Sequence, residues 1–200
     1  MDVEKLKKSL ESRGWDFRQF STGAEAADYL AGELAGSTVG IGGCGTADAI
    51  GLYDKLTAVC PDVAWHWKEQ DMDGARARAM TTDAYVCSAN AIAETGEIVN
   101  IDGMGNRLAA TLFGHKRVYI VAGRNKLCPD LDSAIYRARN VAGPLRARSM
   151  GKKTPCATGE LKCHDCRSPE RVCRGMTILM YKMMGLEKCE LVLIDEDLGM

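Results

Sequence analysis

The chain predicts an α/β domain with a largely parallel sheet in three layers. Short apolar runs of strand length alternate with amphipathic stretches of helical period from one end to the other. The connections between them are short and rich in Gly, Asp and Ser, as βα and αβ turns require. Two hundred residues, 46% of them hydrophobic, suffice for one sizeable core.

The elements follow in order. Residues 2–13 place Val3, Leu6 and Leu10 at helical spacing, and WDFRQFST reads as a short strand. GAEAADYLAGELA is rich in helix formers. STVGIGGCGT reads as a strand entering a glycine-rich turn. TADAIGLYDKLTAV then forms a helix with Thr46 or Asp48 as its cap. DVAWHWK is a strand, in which Trp65, His66 and Trp67 alternate faces, and DGARARAMTT is a helix. AYVCSANAIAETGEIVNID gives two extended pieces joined by a polar hinge. A helix over NRLAATLF precedes KRVYIVAG, the strongest buried strand. DLDSAIYRARNVAGPLRAR is a helix closed by Gly143-Pro144. After a cysteine-rich insertion, GMTILMYKMMG reads as a helix whose methionines serve a core or subunit contact, and CELVLIDEDLG as the last strand.

With 26 basic against 27 acidic residues, the chain offers no electrostatic case for nucleic acid or a membrane surface. No apolar stretch approaches the roughly 20 residues that span a bilayer, and the first residues form a charged amphipathic helix rather than a signal peptide. A cytoplasmic location is expected. In a reducing compartment, four clustered cysteines among nine point to metal or redox chemistry more readily than to structural disulfides. Cys60, Cys87, Cys128 and Cys189 sit in or beside apolar runs and are expected to be small core residues.

Three motifs can carry chemistry. In VGIGGCGTADA, Gly42, Gly43, Cys44 and Gly45 form a strand-to-helix turn whose backbone N–H groups, with Thr46, can approach an anion. It is neither a Walker loop nor a complete dinucleotide fingerprint, so no nucleotide cofactor is implied. In SANAIAETGEIV, Glu94 lies in a polar break between extended stretches and can act as nucleophile or general base; Asn90 and Thr95 can orient it or the substrate, and with Gly96 they are candidate ligand-binding residues. In AGRNKLCPDLDSA, Lys126 follows the strongest strand and can pair with an anionic substrate in the same crevice.

In that order and at those separations, GGCGTADAIGL, ANAIAETGEIV and GRNKLCPDLDSAIYRARNVAGPLRAR resemble the LUD domain, the lactate-utilisation family of the NagB/RpiA/CoA-transferase-like superfamily. The resemblance covers residues 1–197, and TPCATGELKCHDCRSPERVCR resembles the C-terminal extension of its short stand-alone branch. It implies an α/β/α sandwich with a Rossmann-like parallel sheet and a cleft near Gly42–Thr46, Glu94 and Lys126. It implies a role in using lactate or another small organic acid, and redox partner subunits that carry iron–sulfur clusters. The family commonly has Ser where this chain has Cys44. A thiol at a helix N-terminus tends toward a lowered pKa, which makes Cys44 a candidate reactive group.

Residues 152–174 form a cysteine-rich segment within a single domain of residues 1–200. Cys156, Cys163, Cys166 and Cys173 are spaced C-x6-C-x2-C-x6-C, and Lys152, Lys153, Lys162, Arg167, Arg171 and Arg174 offset the charge of a thiolate cage. Such a set can hold zinc or a [4Fe–4S] cluster, and free thiols or a reversible disulfide stay open. His164, between two of the cysteines, points away from the cage, and His66 is a strand residue. Two functions compete. One is an enzyme or enzyme subunit acting on a small anionic substrate, the acid or its CoA or phosphorylated form. The other is a non-catalytic redox or scaffold subunit built around the cysteines. A homo-oligomer is compatible with both.

Overall fold

The computed structural model describes residues 1–200. Helix α1 (Val3–Ser12) is capped by Asp2, whose carboxylate accepts from the Lys5 amide, and it buries Leu6 and Leu10. Strand β1 (Asp16–Phe20) and α2 (Gly23–Leu34) follow, α2 closed at its start by a Thr22–Glu25 capping box. Then come β2 (Thr38–Ile41), α3 (Gly45–Ala49), α4 (Leu52–Thr57), β3 (Asp62–Trp65), α5 (Met72–Ala79) and β4 (Ala84–Cys87). The expected single helix after the glycine turn is two, because Gly51 takes φ +64 between α3 and α4. Strand β3 ends at Trp65, so His66 and Trp67 lie beyond the strand rather than alternating within it.

Chain order then gives β5 (Ala91–Ala93), β6 (Ile98–Asp102), α6 (Asn106–Leu112), β7 (Arg117–Gly123), β8 (Leu127–Cys128), α7 (Leu131–Arg137), α8 (Gly143–Ser149), α9 (Pro155–Thr158), β9 (Gly175–Leu179) and β10 (Lys188–Ile194). The middle segment is therefore three strands, not two. Gly143-Pro144 does not close a helix either. Residues Ala138–Ala142 form a π-helical turn, and the helical path runs on through Pro144 into α8. The expected helix over residues 175–185 is a strand and a turn: Met176, Thr177 and Ile178 pair with Ile101, Asn100 and Val99. Long-range pairing overrides the helical spacing of the methionines, and Met180 and Met184 project into solvent.

Six strands form a wholly parallel sheet in the order β1-β10-β7-β4-β2-β3. Alternate residues feed two cores. Val118, Ile120, Leu191 and Leu193 face α1, α5 and α6 with Leu6, Leu10, Ala79 and Ala110. Tyr119, Val121, Val192 and Ile194 face α2, α3 and α4 with Leu30, Leu34, Ala47 and Leu56. Helices thus cover both faces, as an all-parallel sheet demands.

A second sheet, β8-β5-β6-β9, packs Ile92, Ile98 and Leu179 into the first core. Its other face, with Ala91, Ala93 and Val99, packs against Ala134 and Ala138. From β2 the chain moves outward to β3, then returns across β2 to β4 and continues to β7 and β10. The winding direction therefore reverses between β2 and β4, and their carboxyl ends open a crevice at the switch point.

Candidate functional site

Three loops meet at that crevice. The turn after β2 carries Gly42–Thr46, the turn after β4 carries Ser88, and a short 3-10 turn after β7 carries Lys126. The Lys126 ammonium donates to Ser88 Oγ at 2.6 Å and to Thr46 Oγ1 at 3.1 Å, and the two hydroxyls stand 3.2 Å apart. All three residues are buried. No carboxylate pairs with Lys126, and burial lowers its pKa to about 8, with the nearby Arg137 and Arg107 pushing the same way.

Those arginines are fixed from behind. Arg107 donates to Ile101 O at 2.6 Å and to Asn90 Oδ1 at 3.3 Å, and pairs with Asp102 at 3.5 Å. Arg137 donates to the carbonyls of Asn125 and Asn90. The Arg146 guanidinium lies 5.0 Å over the Trp67 ring without an ion pair, and burial and Arg107 lower its pKa. Trp67 in turn abuts the glycine turn, 3.4 Å from where a Cβ on Gly43 would be. The arrangement gathers four cations and one carboxylate around the strand ends, an electrostatic setting suited to an anion.

The glycine turn is tight for a steric reason. A Cβ on Gly42 would stand 2.7 Å from the Tyr85 hydroxyl. That hydroxyl is buried and has no hydrogen-bond partner in the protein. Cys44 caps α3, its Sγ accepting from the Ala47 amide at 3.2 Å, the place a serine hydroxyl would take. The expected low thiol pKa is not found: burial pushes Cys44 up, and a five-residue helix has little dipole to oppose it. Gly45 begins α3 and faces Gly199.

The second motif divides. Asn90 belongs to the crevice through Arg107 and Arg137. Glu94 does not share a partner with Lys126: its carboxylate accepts from the Asp2 amide at 2.6 Å and from Lys5 Nζ at 3.3 Å, at the start of α1. The Asp2 amide, then Lys5, hold its pKa below the usual range. Thr95 Oγ1 donates to Glu97, its carbonyl accepts from Arg13, and Gly96 (φ +98) closes the β5–β6 turn. These residues shape the hairpin and anchor it to α1. His66 is buried and held below its usual pKa by desolvation.

Ser88, Arg107, Arg137 and Arg146 are missing from the sequence-based set. Ser88 follows an apolar strand directly, the position that strand-end logic singles out. The arginines come from three helices and carry no local signature.

Cys156, Cys163, Cys166 and Cys173 are free thiols that line one small pocket, shared with His164, Arg139 and Arg171. No three His, Cys, Asp or Glu side chains stand close enough to hold a single metal ion. Cys87, Cys128 and Cys189 are buried, while Cys60 is half-exposed and donates to the Leu34 carbonyl. No helix is long and apolar enough to cross a membrane.

The family model described as the LUD domain matches residues 3–194. Among solved structures, the chain is similar to the crystal structure of a DUF162 family protein from Deinococcus radiodurans. The two share 12% identity over 96% of this chain and 95% of that one, with a TM-score of 0.56, a likeness of fold alone. No curated protein matches.

Proposed function

The chain belongs to the LUD domain family, and we propose that it binds and transforms a small organic acid, free or as its CoA or phosphoryl derivative, in lactate-type utilisation in the cytoplasm. One observation carries the reading: Lys126 is a buried cation on two hydroxyls with no carboxylate partner. A buried charge left unpaired is costly, and an anionic ligand in the crevice would offset that cost. Arg146, over Trp67 and without an ion pair, offers a second anchor.

A lysine with a pKa of about 8 exchanges a proton near neutral pH. Protonated, it donates to Ser88 and to the ligand. Neutral, its lone pair can take the Ser88 hydroxyl proton over 2.6 Å, the geometry of a nucleophile beside its base. Membership of the NagB/RpiA/CoA-transferase-like superfamily is part of this proposal, and a switch point in a parallel sheet is a usual place for a small ligand. Glu94 as a catalytic base would require its carboxylate to leave the start of α1, so Lys126 takes that role here.

Calorimetric titration with lactate, lactoyl-CoA and inorganic phosphate tests the reading on the wild type, Lys126→Met and Arg146→Ala. At least one of the three should bind, and Lys126→Met should weaken it tenfold or more, about 1.4 kcal/mol. Absence of binding by all three, or equal binding by Lys126→Met, would reject the crevice as the substrate site.

A second reading, a redox or scaffold subunit serving partner proteins, is favoured by the four cysteines on one pocket wall.

A further inference from the structure

We infer that the crevice takes a phosphorylated organic acid, its carboxylate at Lys126 and its phosphoryl group at a second subsite made by Arg146, Arg76 and His66. The inference rests on the reading above, since Lys126 with Ser88 and Thr46 supplies the acid end. It adds the second charge that the ligand carries.

The balance of charge at the strand ends leads to it. Arg107 is matched by Asp102 at 3.5 Å, and Arg76 by Asp73 at 2.6 Å. Asp102 has no further charge to lend, because its other oxygen accepts from the Met104 and Gly105 amides. Arg137 directs Nε and Nη1 at the Asn125 and Asn90 carbonyls. Two cations are left over. Lys126 has only hydroxyls, and Arg146, over Trp67, makes neither an ion pair nor a side-chain hydrogen bond. A half-buried guanidinium without an acceptor calls for one from outside, and phosphoryl oxygens match its planar fork in the bidentate way.

Unused donors gather beside Arg146. His66 is buried, and neither ring nitrogen meets a hydrogen-bond partner in the protein. Arg76 Nε is buried and also has no partner. Burial, then Arg76 and Arg146 against Asp102, hold His66 below its usual pKa. Both guanidinium groups therefore act at the imidazole, and the neutral ring keeps an N–H to donate. These groups come from the end of β3, from α5 and from α8, and leaving them unpaired is costly unless a ligand accepts from them.

The two subsites lie at the ends of one turn. Thr46 Oγ1 receives Lys126, while Gly43 lies against Trp67, 3.4 Å from where its Cβ would be. Trp67 stacks on Trp65 at 5.6 Å and carries Arg146 5.0 Å above its own ring, which fixes the platform under the guanidinium. From Gly43 to Thr46 the chain spans at most about 11 Å, which a small molecule of a few bonds bridges. Joining two weak anchors in one ligand raises its affinity well above that of either fragment.

Calorimetric titration of the full chain with lactate, inorganic phosphate and phospholactate is the test. On the wild type, phospholactate should bind at least about tenfold tighter than either fragment. Arg146→Ala, Arg76→Gln and His66→Gln should each lower that preference severalfold. Arg146→Lys, which keeps a cation over Trp67, should restore part of it. Lys126→Met should weaken lactate and phospholactate alike. Phospholactate no tighter than lactate on the wild type, or a preference intact in Arg146→Ala and Arg76→Gln, would overturn the second subsite. Lactate binding that Lys126→Met weakens would then leave the acid end standing. Phosphate binding that Arg146→Ala abolishes and Lys126→Met spares would keep the subsite even where lactate fails to bind. No binding by any of the three would overturn both.

Discussion

The Nζ of Lys126 lies 2.6 Å from Ser88 Oγ inside a crevice where no carboxylate answers its charge. The consequence can be read in stability against pH. Lys126 titrates at about 8 when folded and at its ordinary 10.5 when unfolded. Between those values the unfolded chain holds more protons, so stability rises with pH across the window and is flat in this respect below it. Relative to Lys126→Met, the wild type should gain about 3 kcal/mol from pH 7 to pH 10.5, at about 1.36 kcal/mol per pKa unit. Urea denaturation of both proteins at the two pH values measures the difference, and parallel curves would mean that the ammonium is not desolvated.

Gly42 and Tyr85 should behave as a coupled pair. Gly42→Ala places a methyl 2.7 Å from the Tyr85 hydroxyl within a rigid core, a clash expected to cost about 1–3 kcal/mol. Tyr85→Phe removes a buried hydroxyl that has no partner, so it should be neutral or stabilising on its own. In the double variant the clash is relieved, and the losses should sum to less than the single effects. A strictly additive double-mutant cycle would show that the turn is glycine for some other reason.

Glu94 is expected to matter for folding rather than for the ligand. Its carboxylate joins the β5–β6 turn to the start of α1 through Asp2 and Lys5. Because its folded pKa is lowered, the contribution is present at neutral pH and is lost as pH falls through that value. Glu94→Gln should therefore melt below the wild type at pH 7, and the gap should narrow toward pH 3. Its affinity for an anion at Lys126 should match the wild type. Loss of binding with an unchanged melting temperature would return Glu94 to the substrate site.

The main sheet was readable because its strands are short apolar runs ending in glycine or a polar residue. The same punctuation placed the Gly42–Thr46 turn and Lys126 at strand ends, where the crevice lies. What the sequence could not show was pairing at a distance. Met176–Leu179 has helical spacing, and only the edge of β6 makes it a strand. Glu94 looked like a crevice residue because strand ends usually are, yet the hairpin turns it to α1. Arg107 and Arg137 come near Lys126, and Arg146 comes over Trp67, only through the packing of α6, α7 and α8, and each alone reads as a helix-surface cation.

The segment after β10 gives the last expectation. Glu196 anchors it, its carbonyl accepting from the Arg124 amide at 3.1 Å and its carboxylate from the Gly23 amide at 3.1 Å. Beyond Glu196 the contacts are longer, with the Leu198 amide 3.2 Å from Asn125 Oδ1 and its carbonyl 3.5 Å from Thr46 Oγ1. Gly199 takes φ +68, and a Cβ there would stand 2.9 Å from Thr46 Oγ1 and 3.1 Å from Lys126 Nζ. Backbone strain and the close approach act together, so Gly199→Ala should lift residues 198–200 while Glu196 stays in place. Lys126 then meets solvent, and its acylation by a succinimidyl ester, followed by mass spectrometry, should speed up severalfold. The melting temperature should fall modestly, because Leu198, which packs against the core under α2, α3 and α4, leaves with the segment. An unchanged acylation rate would mean that the segment does not cover the lysine. A faster rate that lactate or phosphate suppresses would place the ligand and the covering segment at the same ammonium.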